Sequence, residues 1–281
     1  MAAMTPWRAG RNLRAIRPAR SRWWDMKTRM TERLASFRGP RLTDMMTQPL
    51  RTPLTDPVLM TVNGARLIAD PSGVAVWAEE GVLLVSDLHF EKGSAYAVRG
   101  QFLPPYDTRA TLRKLAEAIA IYQPRRVVAL GDSFHDLGAD DRMAPEDADA
   151  LSEIVASVED WLWIEGNHDP KPPERFGGRA GFELDLGPLH LRHEPQAGDH
   201  PGEVAGHLHP CAKISGQGRR VRRRCFATDG ARLILPAFGA FTGGLNVCDA
   251  AYAPLFRERP HAYMLGRDRV YAVSGSRLLG D

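Results

Sequence analysis

Aspartate, histidine and asparagine recur in five short segments, each closing an apolar run. They are Ser86-Asp87-Leu88-His89, Gly131-Asp132-Ser133, Gly166-Asn167-His168-Asp169, His193 and Gly206-His207-Leu208-His209. Their oxygen and imidazole donors suit Mn²⁺, Fe, Zn²⁺ or Mg²⁺. Five of the nine histidines fall inside these segments, so the enrichment is specific. Any one segment reads equally well as a turn, because Asp and Asn after Gly are common there. Five in order, each at the end of a strand-like run, point to a metal site that hydrolyses a phosphate ester. Two divalent ions about 3.5–4 Å apart need a bridging carboxylate, and Asp132, the central single acid, is the candidate. Asp87 and His89, two apart in a segment expected to be extended, point the same way and serve one ion, joined by His209. Asn167, His193 and His207 serve the other. An open position on each ion marks a catalytic rather than a structural site. His168 sits beside a ligand. Asp169 is expected to hold its ring and raise its pKa, making an imidazolium that stabilises transition-state charge or protonates the leaving oxygen.

The elements that must position these residues can be read from periodicity. Residues 82–85, 127–130 and 161–164 are continuous apolar runs, the pattern of strands buried on both faces. Between them, 108–121 reads as a helix with Leu112, Leu115, Ala116, Ile119 and Ala120 on one face and Pro124 as its stop. A second helix spans 145–158, with Glu146 and Asp147 in its first turn, where the helix dipole favours negative charge. In a mostly parallel sheet the carboxyl ends of strands gather along one edge, where ligands bind. Asp132, Asn167 and His207 each follow a glycine, which permits close backbone approach. Upstream, 59–62 and 65–69 are joined by Asn63-Gly64, a hairpin signal, and 74–78 comes after the turn at Pro71-Ser72-Gly73. After Asp169, short alternating strands are expected at 182–186, 189–193, 203–205, 213–215, 221–227 and 232–235. A βαβαβ half and a mostly β half fit an α/β architecture of two sheets packed face to face with helices outside.

The chain has 281 residues, 43% hydrophobic and 25% charged, which is ordinary globular composition. Cys211, Cys225 and Cys248 are odd in number and widely spaced, so they suggest neither a disulfide framework nor a cysteine zinc motif, and a cytoplasmic location is expected. No apolar run approaches the roughly 18–20 residues needed to cross a bilayer, so no membrane partner is expected. Residues 1–50 carry eleven Arg and Lys against three acids, a net +8, which leaves −5 for the rest. The basic character is therefore confined to one end, and the net charge alone does not make the body a nucleic-acid binder. Residues 1–50 are expected to be a disordered basic extension. A nucleic-acid or membrane arm, a transit peptide and a start codon assigned too early (with Met45, Met46 or Met60 as the working start) compete, and the last is favoured. Residues 58–281 are expected to form one domain.

The ordered pattern D-x-H, G-D, G-N-H-D, H, G-H-x-H resembles the calcineurin-like metallophosphoesterase superfamily, with every position filled over about residues 82–210. That resemblance implies a four-layer αββα sandwich of two mixed sheets flanked by helices. It also implies a dinuclear centre, most often Mn²⁺ or Fe, with a metal-bridging hydroxide as nucleophile. The longer strings Ser86-Asp87-Leu88-His89-Phe90-Glu91-Lys92, Gly131-Asp132-Ser133-Phe134-His135-Asp136 and Pro236-Ala237-Phe238-Gly239-Ala240-Phe241-Thr242-Gly243-Gly244 resemble the DNA ligase-associated members. Those imply a bacterial protein encoded with a ligase and a helicase and a setting in DNA repair.

The reading is a phosphoesterase, in the first place a phosphodiesterase. A nuclease, a nucleotide pyrophosphatase or a phosphomonoesterase on the same site, or a non-catalytic scaffold in a ligase or helicase assembly, are the alternatives. His135 at the metal rim, and Lys92 and Arg99, are candidate substrate contacts beside the ordinary reading of solvated side chains. The run Arg219–Arg224 reads equally as a nucleic-acid contact or a solvated hairpin face. Gly243-Gly244 marks a rim loop or a plain turn.

Overall fold

The computed structural model describes residues 57–281 apart from 102, 105 and 217. The basic stretch 1–50 and its start site lie outside the described residues.

Asn63 (φ 45°) and Gly64 (φ 86°) are both left-handed, as a type I′ turn requires. They join β1 (Val58–Val62) to β2 (Ala65–Ala69), with Val62 opposite Ala65. β3 (Ala75–Trp77), β4 (Val82–Val85), β5 (Arg126–Leu130), β6 (Asp160–Ile164) and β7 (Arg179–Gly181) complete a seven-stranded sheet in chain order. The first four strands pair antiparallel and the last four parallel. Parallel pairing demands crossovers. α1 (Lys92–Val98) and α2 (Asp107–Tyr122) cross from β4 to β5, and α3 (Ala139–Arg142) and α4 (Pro145–Ala156) from β5 to β6. In α2 the buried stripe runs through Thr111, Leu112, Leu115, Ala118 and Tyr122. Ile119 and Ala120, expected on that face, fall to its margin, because successive buried positions step by three or four residues.

The second sheet holds β8 (Glu183–Leu186), β9 (Leu189–Arg192), β10 (Glu203–Ala205), β11 (Pro210–Gly216), β12 (Arg219–Thr228), β13 (Leu233–Ile234) and β14 (Leu245–Asn246), in the order β14-β11-β12-β13-β10-β9-β8. β15 (His261–Leu265) pairs with β12, and β16 (Val270–Val273) with β15. β9, β10 and β13 are parallel within an otherwise mostly antiparallel sheet.

Side chains of period two divide between two cores. Val204, Phe226 and Leu233 join Leu67, Leu84, Val128 and Leu162 between the sheets. Their neighbours Ala205, Cys225, Ala227 and Ile234 pack the other way, against Val247, Tyr252, Leu255 and Phe256. The result is a layered α/β fold of two mixed sheets. Among the described residues the α-helices all lie between β4 and β6, on the first sheet's side. The second sheet is covered by segment 247–256 with its 3₁₀ turn Ala250–Tyr252. The outer cover of the second sheet is thus this 3₁₀ turn and its flanking segment, and the layered order of two mixed sheets between helical layers is as expected. The second sheet's strands are joined mainly by hairpins and short links, which leave little room for crossover helices. Among the described residues no helix is long and apolar enough to cross a membrane.

Candidate metal centre

The five segments that carry the candidate ligands all sit just beyond the carboxyl ends of parallel strands. Asp87 follows β4, Asp132 follows β5, Asn167 follows β6, His193 follows β9 and His207 follows β10. Backbone bonds tie the segments to one another. Asp87 N–H donates to Gly131 O (3.2 Å), His89 N–H to Asp132 O (2.9 Å) and Gly206 N–H to His193 O (2.9 Å). His207 N–H reaches the Asp87 carboxylate at 3.1 Å and so links the two sheets.

The side chains gather into two groups. Asp87, His89 and His209 place a ligand atom each within 4.8 Å of one another, and so do Asp132, His193 and His207. Asn167 joins the second group, its Oδ1 lying 3.0 Å from His193 Nε2 and 2.9 Å from His207 Nδ1. Asp132 stands between them. Its Oδ1 is 3.3 Å from His193 Nε2 and its Oδ2 4.0 Å from His89 Nε2. Ring nitrogens also face ring nitrogens, His89 Nε2 to His209 Nε2 at 3.3 Å and His207 Nδ1 to His193 Nε2 at 3.3 Å. Nitrogen lone pairs and carboxylates converging on the same points fit a divalent cation at each.

The backbone route to this arrangement differs from the extended segment expected. Asp87 (φ 54°), His89 (45°), Asp132 (49°), His207 (67°) and His209 (48°) are all left-handed. They are five of the eight non-glycine residues with positive φ among those described, and each such residue costs of order 1–3 kcal/mol. Two left-handed residues around buried Leu88, not strand alternation, turn Asp87 and His89 to one side.

The glycines before the ligands are needed for room. A methyl group on Gly206 would stand 1.7 Å from Ser86 Oγ and 2.7 Å from Asp87 Oδ2, and one on Gly166 would stand 2.2 Å from the Asp132 backbone nitrogen. Gly206→Ala is expected to destabilise the protein by about 1–3 kcal/mol and to lower its metal content by displacing Asp87. Thermal unfolding and metal analysis check this, with Gly280→Ala, which meets nothing within 4 Å, as the control.

Electrostatics favour the ligating protonation states of Asp87, Asp132 and His89, whereas His193 is held protonated. Burial works to raise the Asp132 and Asp87 carboxyls, but histidine hydrogen bonds and charges outweigh it and hold both below the usual range. Burial pushes His89 down to about 3. His193 is raised to about 9 against its own burial by the Asp132 hydrogen bond and the Asp87 and Asp132 charges. A proton on His193 thus offsets negative charge that a bound cation would neutralise instead.

His135 is stacked on His168 (ring centroids 5.2 Å, 21°) and edge-on to His89 (5.6 Å). Burial, then the charge of Lys92, lowers it to about 4, and Arg99 acts in the same direction. Lys92 opens α1, and Arg99 is the exposed residue that ends it. One expected pairing is absent. Asp169 does not touch His168, because its Oδ2 accepts from the backbone N–H groups of Ser133 (2.9 Å) and Phe134 (3.1 Å). His168 Nδ1 instead lies 2.7 Å from His135 O, and its N–H donates to Asp132 Oδ1 (2.9 Å). Asp169, raised to about 7 mainly by burial, shapes the loop after Asp132. His190 is held by Asp185 and Glu183 on β8, away from the centre.

The 236–244 loop passes beside the Ser86–His89 and Gly206–His209 segments. Phe238 and Gly239 N–H donate to Ser86 O and Asp87 O, and Leu245 N–H to His209 O. Two cations that stand outside the motifs secure it. Arg224 donates to the carbonyls of Ala237, Gly239, Ala240 and Thr242. The Lys114 ammonium donates to Phe238 O (2.5 Å) and lies over the Phe238 ring. Burial and then Arg224 lower Lys114 from its ordinary 10.5 to about 7. The folded state therefore sheds this proton before the unfolded chain does, so its contribution to stability rises with pH between about 7 and 10.5. Compared with Lys114→Met across that window, the parent is expected to gain stability, at most about 1.4 kcal/mol per pH unit. A pH-independent difference in unfolding free energy refutes the lowered pKa.

A protein-family model described as calcineurin-like phosphoesterase matches residues 81–240. No curated protein matches the chain. Among solved structures, the nuclease MPE of Pseudomonas putida is 30% identical with a TM-score of 0.60, over 78% of this chain and 100% of that one. A protein of unknown function from Aquifex aeolicus is 15% identical over 41% of this chain and 60% of its own, with a TM-score of 0.29, too slight a likeness to carry an argument.

Proposed function

The chain belongs to the calcineurin-like phosphoesterases and is a metal-dependent hydrolase of phosphate esters; within that family we propose a phosphodiesterase with a dinuclear centre that cleaves nucleic-acid backbone. The observation that carries it is the position of Asp132, whose two oxygens face the two ligand groups. Asp87, His89 and His209 would hold one ion, Asn167, His193 and His207 the other, and Asp132 both. The mixed carboxylate, carboxamide and imidazole set suits Mn²⁺ first, then Fe, Zn²⁺ or Mg²⁺. Such ions supply Lewis acidity toward the phosphoryl oxygens and acidify a water.

The chain's own residues do the rest. Lys92 and Arg99 add positive charge beside His135 at the rim, where non-bridging phosphate oxygens would lie. His168 is placed to give a proton to the leaving oxygen. A cleft of about 530 Å³ lined by Asn167, His193, Pro170 and the exposed Phe182 opens beside the second group. It leaves space for a substituent that a diester has and a monoester lacks. The full-length likeness to a nuclease at 30% identity supports nucleic acid as the substrate class. The three longer strings support the DNA ligase-associated branch, with ligase or helicase partners and a cytoplasmic repair setting.

The test is hydrolysis of bis(p-nitrophenyl) phosphate and p-nitrophenyl phosphate by chelator-stripped protein with divalent metals restored one at a time. Recovery with Mn²⁺ and preference for the diester are expected. Preference for the monoester overturns the phosphodiesterase, and no turnover with any metal favours the scaffold.

A further inference from the structure

The β11–β12 hairpin starts at a candidate metal ligand and ends in solvent. Pro210, its first residue, follows His209 directly, Cys211 lies opposite Arg224 and Gly216 opposite Arg219. Residues 219–223 are all exposed. Of the five arginines on β12, two have structural partners. Arg222 meets Asp281 and Gly244 O, and Arg224 holds the 236–244 loop. Arg223 donates only to the neighbouring Arg222 carbonyl. Neither it nor Arg219 or Arg220 meets a carboxylate among the described residues.

Exposed arginines are ordinarily a solvated face, but the root of this hairpin is not. A concavity of about 460 Å³ is lined there by Ser72, Thr111, Lys114, Arg223, Arg224 and Ala240, with no carboxylate in its wall. The nearby Asp70 already accepts from Ser72 N–H and the Tyr122 hydroxyl. Ser72 Oγ is buried with no hydrogen-bond partner. The Lys114 and Arg224 charges oppose one another, and so do those of Arg224 and Lys92. Positive charge therefore gathers around the concavity at Lys114, Arg223 and Arg224 and continues out along the exposed part of β12.

We propose that this track, Arg223 at its root and Arg219 and Arg220 beyond, with Lys114 and Arg224 adding charge from the loop they secure, holds the phosphate backbone of the nucleic-acid strand flanking the scissile bond. The proposal rests on the phosphodiesterase reading and supplies what that reading lacks, a surface for the rest of a long substrate. Guanidinium groups suit it, because their planar fork matches phosphate oxygens. The grip is independent of sequence, as backbone contacts are.

The test is fluorescence anisotropy of a labelled oligonucleotide with the metal-free full chain across a salt series, for the parent and for Arg219→Gln/Arg220→Gln/Arg223→Gln. Every arginine–phosphate pair that is broken lowers the log–log salt slope by about 0.7–0.9. The triple variant is expected to bind about tenfold or more weakly, with a slope shallower by about 2–3, and the triple Arg→Lys variant to restore most of both. Unchanged affinity and slope overturn the track. So does a variant that loses stabilisation by inorganic phosphate yet keeps its oligonucleotide affinity, which would make the concavity a small-anion pocket. Hydrolysis of bis(p-nitrophenyl) phosphate by the parent, measured separately, reports the catalytic reading itself, so the two fail independently.

Discussion

Asp132→Asn is expected to lower turnover of a phosphate diester by on the order of a thousandfold or more and to cut metal content, while the protein stays folded. The carboxamide has the carboxylate's shape. Its oxygen can still accept the His168 N–H bond, now 2.9 Å from Asp132 Oδ1. What it lacks is the charge and the second oxygen. Oδ2 faces His89 and Oδ1 faces His193, so an amide nitrogen on either side presents hydrogens where a cation needs a donor pair. The carboxyl is held ionised well below its usual range by the His193 hydrogen bond and surrounding histidine charge, despite burial. The negative charge is therefore available at any working pH, and its loss would be felt at both candidate ion sites at once. Metal ions contribute several kcal/mol of transition-state stabilisation, and each 1.36 kcal/mol is about tenfold in rate. Measured kcat/KM, metal stoichiometry and the unfolding transition check this together. Full turnover with two ions retained removes Asp132 from the bridging role.

The gathering of the candidate ligands is legible in the chain because buried parallel strands write themselves as unbroken apolar runs, and the residues just past each run must lie at the sheet edge. Val82–Val85 ends before Ser86, and Arg126–Leu130 before Gly131. That is enough to bring Asp87 and Asp132 together. Conformation at the ligands is not legible in the same way. Left-handed φ at Asp87, His89, His207 and His209 leaves no periodic trace, since it is imposed by pairing between segments far apart in the chain. Asp169 shows the same limit. Beside His168 in sequence it invites a carboxylate–imidazole pair, but the backbone N–H groups of Ser133 and Phe134, brought across by β5–β6 pairing, reach it first. The strands missed are those with too few residues for alternation, such as β7 and β14, or those at the end of the chain, β15 and β16. Arg224 illustrates the remaining gap. Within a run of arginines nothing marks it as the one whose guanidinium closes the rim loop.

His168→Ala is expected to cost about 10²–10⁴-fold on a diester with an alkoxide leaving group, and far less on bis(p-nitrophenyl) phosphate. His168 Nδ1 lies 2.7 Å from the carbonyl of His135, which can only accept, so Nδ1 carries a hydrogen and Nε2 is the nitrogen left to face substrate. Stacking on His135 and an edge contact to His89 (5.2 Å between centroids) fix the ring's plane toward the metal groups. A sugar alkoxide is a poor leaving group and needs a proton, which Nε2 would deliver from the doubly protonated ring, leaving the neutral ring with its hydrogen on Nδ1; p-nitrophenoxide departs unaided. The comparison separates two roles that a single substrate confounds. An acid gives losses that grow with the leaving group's basicity. A residue that only stabilises charge on the phosphoryl oxygens gives the same loss for both esters, and that equality would remove proton transfer from the role of His168. Asp169→Asn serves as the companion variant. Because Asp169 holds the Ser133–Phe134 backbone and not the His168 ring, its loss is expected to be similar for both esters.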